Sequence, residues 1–299
     1  MSSVNKYPLP FRGVGTALIT PMRDGKPDLA ALECLIERQI TGGVSALIVM
    51  GTTGEAATLR KKERAAILAS ARSAAGGRIP IIVGMGTNDT HAAVSAAKYA
   101  ASSGADGLLA VTPYYNKGTT EGIVAHYETI ADATDLPLIL YNVPSRTGVN
   151  LTLPQLSRLA EHPRIVAIKE ASGDIGRIAD ITATLGNRLA VYSGNDGELL
   201  PTLSLGGVGV ISVISNLYPA ETVAILRLFE EGRHNEAAAA AARLLPMIRL
   251  MFAETNPSPI KYAVSRTGIC TAEMRLPMTP PTPALCERIT AEMKRLEEK

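Results

Sequence analysis

Short apolar runs recur along the chain at a steady interval, and stretches of helical periodicity separate them. Each run is about as long as one buried strand, and none alternates cleanly between apolar and polar residues. Continuous apolar runs are typical of parallel strands in a sheet that is covered on both faces. The eight predicted strands are Val14–Thr20, Ala46–Met50, Ile79–Val83, Gly107–Val111, Leu138–Tyr141, Ile165–Lys169, Leu189–Tyr192 and Val208–Val213.

Amphipathic helices are predicted between these strands, because apolar residues recur there three or four positions apart. The predicted helices are Asp28–Thr41, Lys61–Ala75, Thr90–Ser103, Thr119–Thr134, Leu153–Glu161, Ile175–Leu185 and Glu198–Leu205. Strands that alternate with helices predict a parallel sheet with right-handed crossovers, and eight such units close into a (β/α)8 TIM barrel. A doubly wound sheet is the alternative fold, although it usually has fewer strands.

The pattern changes after Val213, where only helices are predicted. They are Pro219–Glu231, His234–Phe252, Pro259–Thr267 and Pro283–Glu297. Only the first of them is needed to complete the barrel. We therefore expect a catalytic barrel over residues 1–231 and a C-terminal helical extension over residues 232–299 that packs on it.

The composition fits a globular protein with a large core and argues against a nucleic-acid-binding surface. Hydrophobic residues make up 46% and charged residues 19% of the chain, which predicts a large core. The net charge of +2 contains no basic block, and the chain has no Trp, so we expect no nucleic-acid partner.

Neither a metal site nor an export or membrane signal is expected. The three cysteines lie far apart without a CxxC pair, and none of the four histidines forms an HExxH motif. Reduced thiols fit a cytoplasmic protein. The first fifteen residues contain no apolar signal-peptide core and are interrupted by Pro8 and Pro10. No apolar run reaches the roughly 18 residues of a membrane helix, so no membrane partner is expected.

Two strand ends carry residues that suit chemistry on a ketone or a carboxylate. The second strand runs into GTTGE at 51–55, where glycines and successive amides can form a small anion-binding nest. The same letters are also typical of a tight turn capped by Thr. Lys169 follows four apolar residues, and desolvation there would favour the neutral amine that attacks ketones. A solvated lysine at a strand end gives the same spacing.

Three further strand ends carry polar groups. Tyr141 ends the fifth strand and can relay protons, while Arg146, five residues on, can bind a carboxylate. A proline turn with a surface arginine is the simpler interpretation. TPYYN at 112–116 follows the fourth strand, and its tyrosines suit interface packing as well as chemistry. SGND at 193–196 predicts a turn and a helix cap.

Together these motifs resemble one family. GTTGE at 51–55, TPYYN at 112–116, YNVPSRTG at 141–148, IKEASG at 168–173, YSGND at 192–196 and GVISV at 209–213 look like those of the dihydrodipicolinate synthase (4-hydroxy-tetrahydrodipicolinate synthase) family. That family belongs to the pyruvate-dependent aldolases, with N-acetylneuraminate lyase. The resemblance runs from about Phe11 to about Pro280 and includes NPSPIK at 256–261 and RLPM at 275–278.

The resemblance implies a role for each matching residue. Lys169 would form an imine with pyruvate, and Tyr141, Thr53 and Tyr115 would form a proton relay, with Tyr115 reaching into the site of a neighbouring subunit. The amides of Thr52 and Thr53 would hold the pyruvate carboxylate. Arg146 would bind the carboxylate of L-aspartate 4-semialdehyde, and carbonyls near Gly194 and Ile211 would line the pocket. No cofactor or metal is implied.

The resemblance also implies a homotetramer, a dimer of tight dimers, in lysine and diaminopimelate biosynthesis. Many bacterial members are inhibited by lysine at the tight-dimer interface. The corresponding region contains Ala56, Ala57, Lys61, Arg64, Asn88, Ala92 and Tyr114. Ala92 stands where an acidic residue would meet the lysine ammonium, and Lys61 and Arg64 would repel a cation. We therefore expect weak or absent feedback by lysine.

Two other functions stay open. The chain could be a sugar-acid or 2-oxo-acid aldolase of the N-acetylneuraminate or 2-keto-3-deoxygluconate type. Arg146 argues against this, because those enzymes bind a polyol instead of a short carboxylate. A non-catalytic barrel that senses a keto acid is the second alternative, and the presence of Lys169 with Tyr141, Thr53 and Tyr115 argues against it.

Overall fold

A computed structural model describes residues 8–298. The first seven residues, which begin the segment expected to lack an export signal, and residue 299 lie outside the described part. Eight parallel strands form a closed barrel, with hydrogen-bonded neighbours in the order β1-β8-β7-β6-β5-β4-β3-β2. The strands are β1 Gly13–Ala17, β2 Ala46–Val49, β3 Ile81–Gly84, β4 Gly107–Val111, β5 Leu138–Asn142, β6 Ile165–Glu170, β7 Ala190–Ser193 and β8 Gly209–Ser212. The predicted (β/α)8 TIM barrel is confirmed.

Helices separate the strands and continue beyond them, as the periodicity predicts. They are α1 Leu29–Thr41, α2 Lys61–Ala75, α3 Thr90–Ser102, α4 Thr120–Asp132, α5 Pro144–Thr147, α6 Leu153–Leu159, α7 Ile175–Leu185, α8 Leu199–Ser204, α9 Pro219–Glu230, α10 His234–Met251, α11 Ser258–Ser265 and α12 Pro283–Glu297. Local capping fixes several of the starts. For example, the Asp28 side chain accepts a hydrogen bond from the amide of Ala31 at the start of α1.

The described residues form two compact units, each with its own set of strands. One contains Pro80–Ile211 together with the chain up to Arg12, and the other contains Gly13–Ile79 and the chain from Ser212 onward. In the first unit, Tyr141 of β5 lies opposite Lys169 of β6, which lies opposite Tyr192 of β7. In the second unit, β1 and β2 pair from Gly15 opposite Ala46.

The C-terminal helices belong to the second unit, where α10 packs against α9 and α12. The division into a barrel over 1–231 and an extension over 232–299 stays a prediction. Within residues 8–298, no helix is both long and apolar enough to cross a membrane.

Two local features differ from the predicted pattern. A two-stranded hairpin joins Met22–Arg23 to Lys26–Pro27, and its turn residues Asp24 and Gly25 both have positive φ angles, 50° and 70°. Asp-Gly is the sequence signal for such a turn, and apolar periodicity does not detect it. The short helix α5 follows β5, where a proline turn was one of two interpretations. Four residues are too few to show helical periodicity, so the apolar pattern did not predict this helix.

Candidate active site

Lys169 lies in a strand whose residues are all buried. The apolar run Ile165–Ile168 places the next side chain inside the protein, and Lys169 is only 5% exposed. Its Nζ lies 4.3 Å from the centroid of the Tyr141 ring, its neighbour in the strand register. The Lys169 amine thus lies beside the ring of Tyr141, a residue that is 8% exposed. This pairs a nucleophile with a proton donor or acceptor.

Gly194 gives the Lys169 side chain its space. A Cβ at this position would lie 2.5 Å from Cβ of Ala171, 3.0 Å from the carbonyl oxygen of Glu170 and 3.1 Å from Cε of Lys169. Only glycine allows so close an approach. The role predicted for Gly194 was a carbonyl that lines the pocket, and the structure adds a steric reason for the glycine. Ile211, the other predicted lining residue, is fully buried in β8.

A buried carboxylate stands directly after Lys169, and it received no role from the sequence. Glu170 is 1% exposed and accepts hydrogen bonds from Nδ2 of Asn142, the amide of Ser172 and Nε of Arg177, the last at 2.8 Å. The side-chain Oδ1 of Asn142 in turn accepts the amide of Leu151. This network ties the ends of β5 and β6 together and so fixes the backbone that carries Lys169.

Arg146 lies in α5, four residues after Asn142, the last residue of β5. Pro144 begins this helical turn, and Gly148 ends it with a φ of +67°. The hydroxyl of Thr112 donates a 3.1 Å hydrogen bond to that of Thr147, which holds the turn to the end of β4. The structure places Arg146 on an exposed position of this anchored turn, where a charged ligand can reach it.

Tyr115 projects from the segment after β4. Its φ is +70°, an uncommon value for an aromatic residue, and the side chain is 89% exposed. The next residue, Asn116, donates from Nδ2 to the carbonyl of Asn88 at 3.0 Å, which helps to hold this backbone. Among the described residues, Tyr115 therefore presents its phenol to solvent from a backbone that its neighbour helps to hold.

In the second unit, GTTGE at 51–55 forms a compact turn after β2. The amide of Gly54 donates to the carbonyl of Gly51, the amide of Glu55 donates to that of Thr52, and the hydroxyl of Thr20 holds the carbonyl of Gly54. Among the described residues, the amides of Thr52 and Thr53 have no acceptor. Two successive amides without an acceptor can donate to a bound carboxylate.

Side chains from the C-terminal segment contact this turn, and no role was predicted for them. Nδ2 of Asn256 donates to Oγ1 of Thr53 at 3.0 Å. Nζ of Lys261 lies 2.5 Å from Oε1 of Glu55, and both side chains are buried. Burial lowers the pKa of Lys261 below its ordinary value, and the Glu55 carboxylate opposes this shift. In the sequence, the only sign of this ion pair was a lysine among the apolar residues of a predicted helix.

The candidate residues thus occupy two sets. Lys169, Tyr141, Arg146, Tyr115, Gly194 and Ile211 belong to the first unit, and Thr52 and Thr53 belong to the second. No group of three or more potential metal ligands occurs within residues 8–298. The Lys169 amine suits imine formation. The hydroxyls of Thr53, Tyr141 and Tyr115 suit proton transfer.

Comparison with known proteins decides the family. The profile of the Dihydrodipicolinate synthetase family matches residues 10–296. The chain belongs to this family. A 4-hydroxy-tetrahydrodipicolinate synthase from Clostridium novyi is 44% identical over 268 residues, which cover 90% of this chain and 90% of that protein. The family predicted from the motifs, and with it the lyase class, is confirmed.

Solved structures agree with this assignment over nearly the whole chain. The dihydrodipicolinate synthase of Thermotoga maritima has a TM-score of 0.95 and 40% identity, covering 97% of this chain and 99% of that one. The chloride-inhibited dihydrodipicolinate synthase of Acinetobacter baumannii, in complex with pyruvate, has a TM-score of 0.93 and 39% identity, covering 96% of this chain and 99% of that one.

Proposed function

We propose that this chain condenses pyruvate with L-aspartate 4-semialdehyde through a Schiff base on Lys169, as a 4-hydroxy-tetrahydrodipicolinate synthase. The observation that carries the proposal is the buried Lys169 amine, 4.3 Å from the Tyr141 ring centroid, in a chain of this family. A lysine amine forms an imine when it adds to a ketone carbon, and this amine lies beside a phenol that can transfer protons.

The proposed reaction begins with pyruvate. The Lys169 amine adds to the ketone carbon, and water leaves as the imine forms. The imine withdraws electrons, so the methyl group loses a proton and becomes an enamine. The amides of Thr52 and Thr53 hold the carboxylate, and the hydroxyls of Thr53, Tyr141 and Tyr115 carry the protons.

The second substrate then reacts at its aldehyde. The enamine carbon forms the new C–C bond, and the aldehyde oxygen takes a proton. The amino group of the same substrate attacks the imine carbon, which closes the ring and releases the Lys169 amine. Arg146 binds the substrate carboxylate, because a guanidinium on an accessible turn can form a bidentate pair with it. Carbonyls near Gly194 and Ile211 line the pocket.

We also propose a cytoplasmic homotetramer, a dimer of tight dimers. The left-handed, exposed Tyr115 supports this assembly, because an aromatic side chain held in that backbone conformation suits a site completed by a second copy of the chain. Equilibrium sedimentation tests the assembly. A tetramer supports the proposal, and a monomer with full activity contradicts the role given to Tyr115.

The function is tested by offering different second substrates and measuring steady-state rates. We expect condensation with L-aspartate 4-semialdehyde and no cleavage of N-acetylneuraminate or 2-keto-3-deoxygluconate. In Arg146→Met, the KM for the aldehyde should rise by about 10- to 100-fold, as expected for the loss of a charge-assisted hydrogen bond, while the KM for pyruvate stays constant. Arg158→Met, which changes an exposed arginine of α6, is the control. Sugar-acid cleavage without condensation would instead support the alternative aldolase.

A further inference from the structure

The segment between α10 and α12 holds the loop that carries Thr53. Asn256 donates to the Thr53 hydroxyl at 3.0 Å, and Lys261 pairs with Glu55, two residues further along that loop. The amide of Arg275 donates to the second Glu55 oxygen at 3.4 Å. Three contacts from one segment therefore fix the position of a short loop, and the Asn256 contact meets the hydroxyl assigned to the relay.

The Asn256 contact also sets the direction in which the Thr53 hydroxyl can act. A hydroxyl has one proton and two lone pairs, whereas an amide nitrogen has only protons to give. Thr53 must therefore accept from Asn256, which occupies one lone pair and leaves its own proton unused. Both residues are buried, at 3% and 6% exposure, so water competes little for these positions. The hydroxyl keeps one proton to donate and one lone pair to accept.

We propose that Asn256 is a positioning residue that keeps the Thr53 hydroxyl ready to pass a proton. This rests on the proposed function, in which Thr53 belongs to the relay. Asn256 acts through Thr53. By fixing one lone pair, it leaves Thr53 with one site that receives a proton and one that releases a proton, as each member of a relay requires.

Replacing Asn256 by aspartate tests the direction of this hydrogen bond with almost no change of shape. A carboxylate only accepts, so Thr53 would donate its proton to it and lose that proton from the relay. We expect kcat to fall by about 100-fold in Asn256→Asp and about 10-fold in Asn256→Ala, within the range of general acid–base effects. The KM for pyruvate should change little, because Lys169 and the Thr52 amide are unaltered.

A double-mutant cycle separates positioning from simple structural support. Thr53→Val removes the hydroxyl and keeps the branched shape. If Asn256 acts through that hydroxyl, Asn256→Asp causes no further loss of kcat in the Thr53→Val background. A residue that only supports the folded structure would lower kcat by the same factor in both backgrounds. Asn235→Asp, at an exposed position of α10, controls for the added charge.

Each variant is also treated with pyruvate and borohydride, and the adduct on Lys169 is measured by peptide mass. We expect Asn256→Asp to form a normal adduct and to lose kcat in the unaltered background. In the Thr53→Val background, Asn256→Asp should cause no further loss of kcat. Equal losses in both backgrounds, or a change confined to KM, overturn it and leave the proposed function intact. No adduct in the unaltered protein overturns the proposed function and this inference with it. If Asn256→Asp does not fold, Asn256→Ala gives the same cycle.

Discussion

The buried pair between Lys261 and Glu55 predicts a large loss of stability when only one charge is removed. Their side chains are 0% and 2% exposed, and Nζ lies 2.5 Å from Oε1. Lys261→Met keeps most of the side-chain volume but removes the ammonium partner of Glu55, and among the described residues the hydrogen bond that remains to this carboxylate is from the Arg275 amide at 3.4 Å. Breaking a buried pair in this way costs about 3–5 kcal/mol.

This loss of free energy sets the expected change in melting temperature. For a chain of this length the entropy of unfolding is roughly 0.6 kcal/mol per degree, so we expect the melting temperature to fall by about 5–8 °C.

The assay is differential scanning calorimetry of three variants. The double variant Glu55→Gln/Lys261→Met removes both charges and should recover most of the loss, since replacing a buried pair by uncharged groups is often neutral. Lys62→Met, an exposed lysine of α2, is the matched control and should melt like the unaltered protein. The reasoning is refuted if Lys261→Met melts unchanged, or if the double variant is as unstable as the single one.

Three other results are expected. Arg275 lowers the pKa of Glu63 to about 2, so the stability from this pair is present above about pH 4.5 and is lost as the pH falls toward 2. In urea unfolding, Arg275→Gln should lower the free energy of unfolding by about 1–2 kcal/mol at pH 7 and by much less at pH 3. The same cost at both pH values would contradict this prediction. Gly194→Ala should reduce the borohydride-trapped pyruvate adduct at least about 10-fold, since the new Cβ would lie 3.1 Å from Cε of Lys169. The control Gly122→Ala should leave the adduct unchanged, because its new Cβ would come no closer than 3.5 Å to another atom. Lysine should inhibit weakly or not at all because of Ala92, and an inhibition constant in the low-millimolar range or below would contradict that prediction; introducing Ala92→Glu should strengthen inhibition.

The strands could be predicted from sequence because a doubly covered parallel sheet requires continuous apolar runs, and every predicted run overlaps a strand. Their ends were less predictable. The first strand was expected to continue to Thr20 but ends at Ala17. There the side chain of Asn216 takes over as partner, accepting from the amide of Ile19 and donating to the carbonyl of Ala17. A partner about two hundred residues away leaves no local trace in the sequence.

The same limit applies to the candidate site. Lys169, Tyr141, Thr53 and Arg146 could be selected because strand ends and motif letters are local features. Asn256 could not be given a role, since its hydrogen bond to Thr53 joins residues 203 positions apart. The family resemblance includes the NPSPIK motif that begins at Asn256, but it implied no chemical role for this residue.

The central claim is that Lys169 is the nucleophile, and trapping tests it most directly. The protein is incubated with pyruvate and borohydride, and intact mass and a peptide map are recorded for the unaltered chain, Lys169→Ala and the exposed-lysine control Lys62→Ala. We predict one reduced pyruvyl group on the peptide that contains Lys169, present in the control and absent from Lys169→Ala. No adduct in the unaltered protein, or an adduct that persists in Lys169→Ala, would contradict the account.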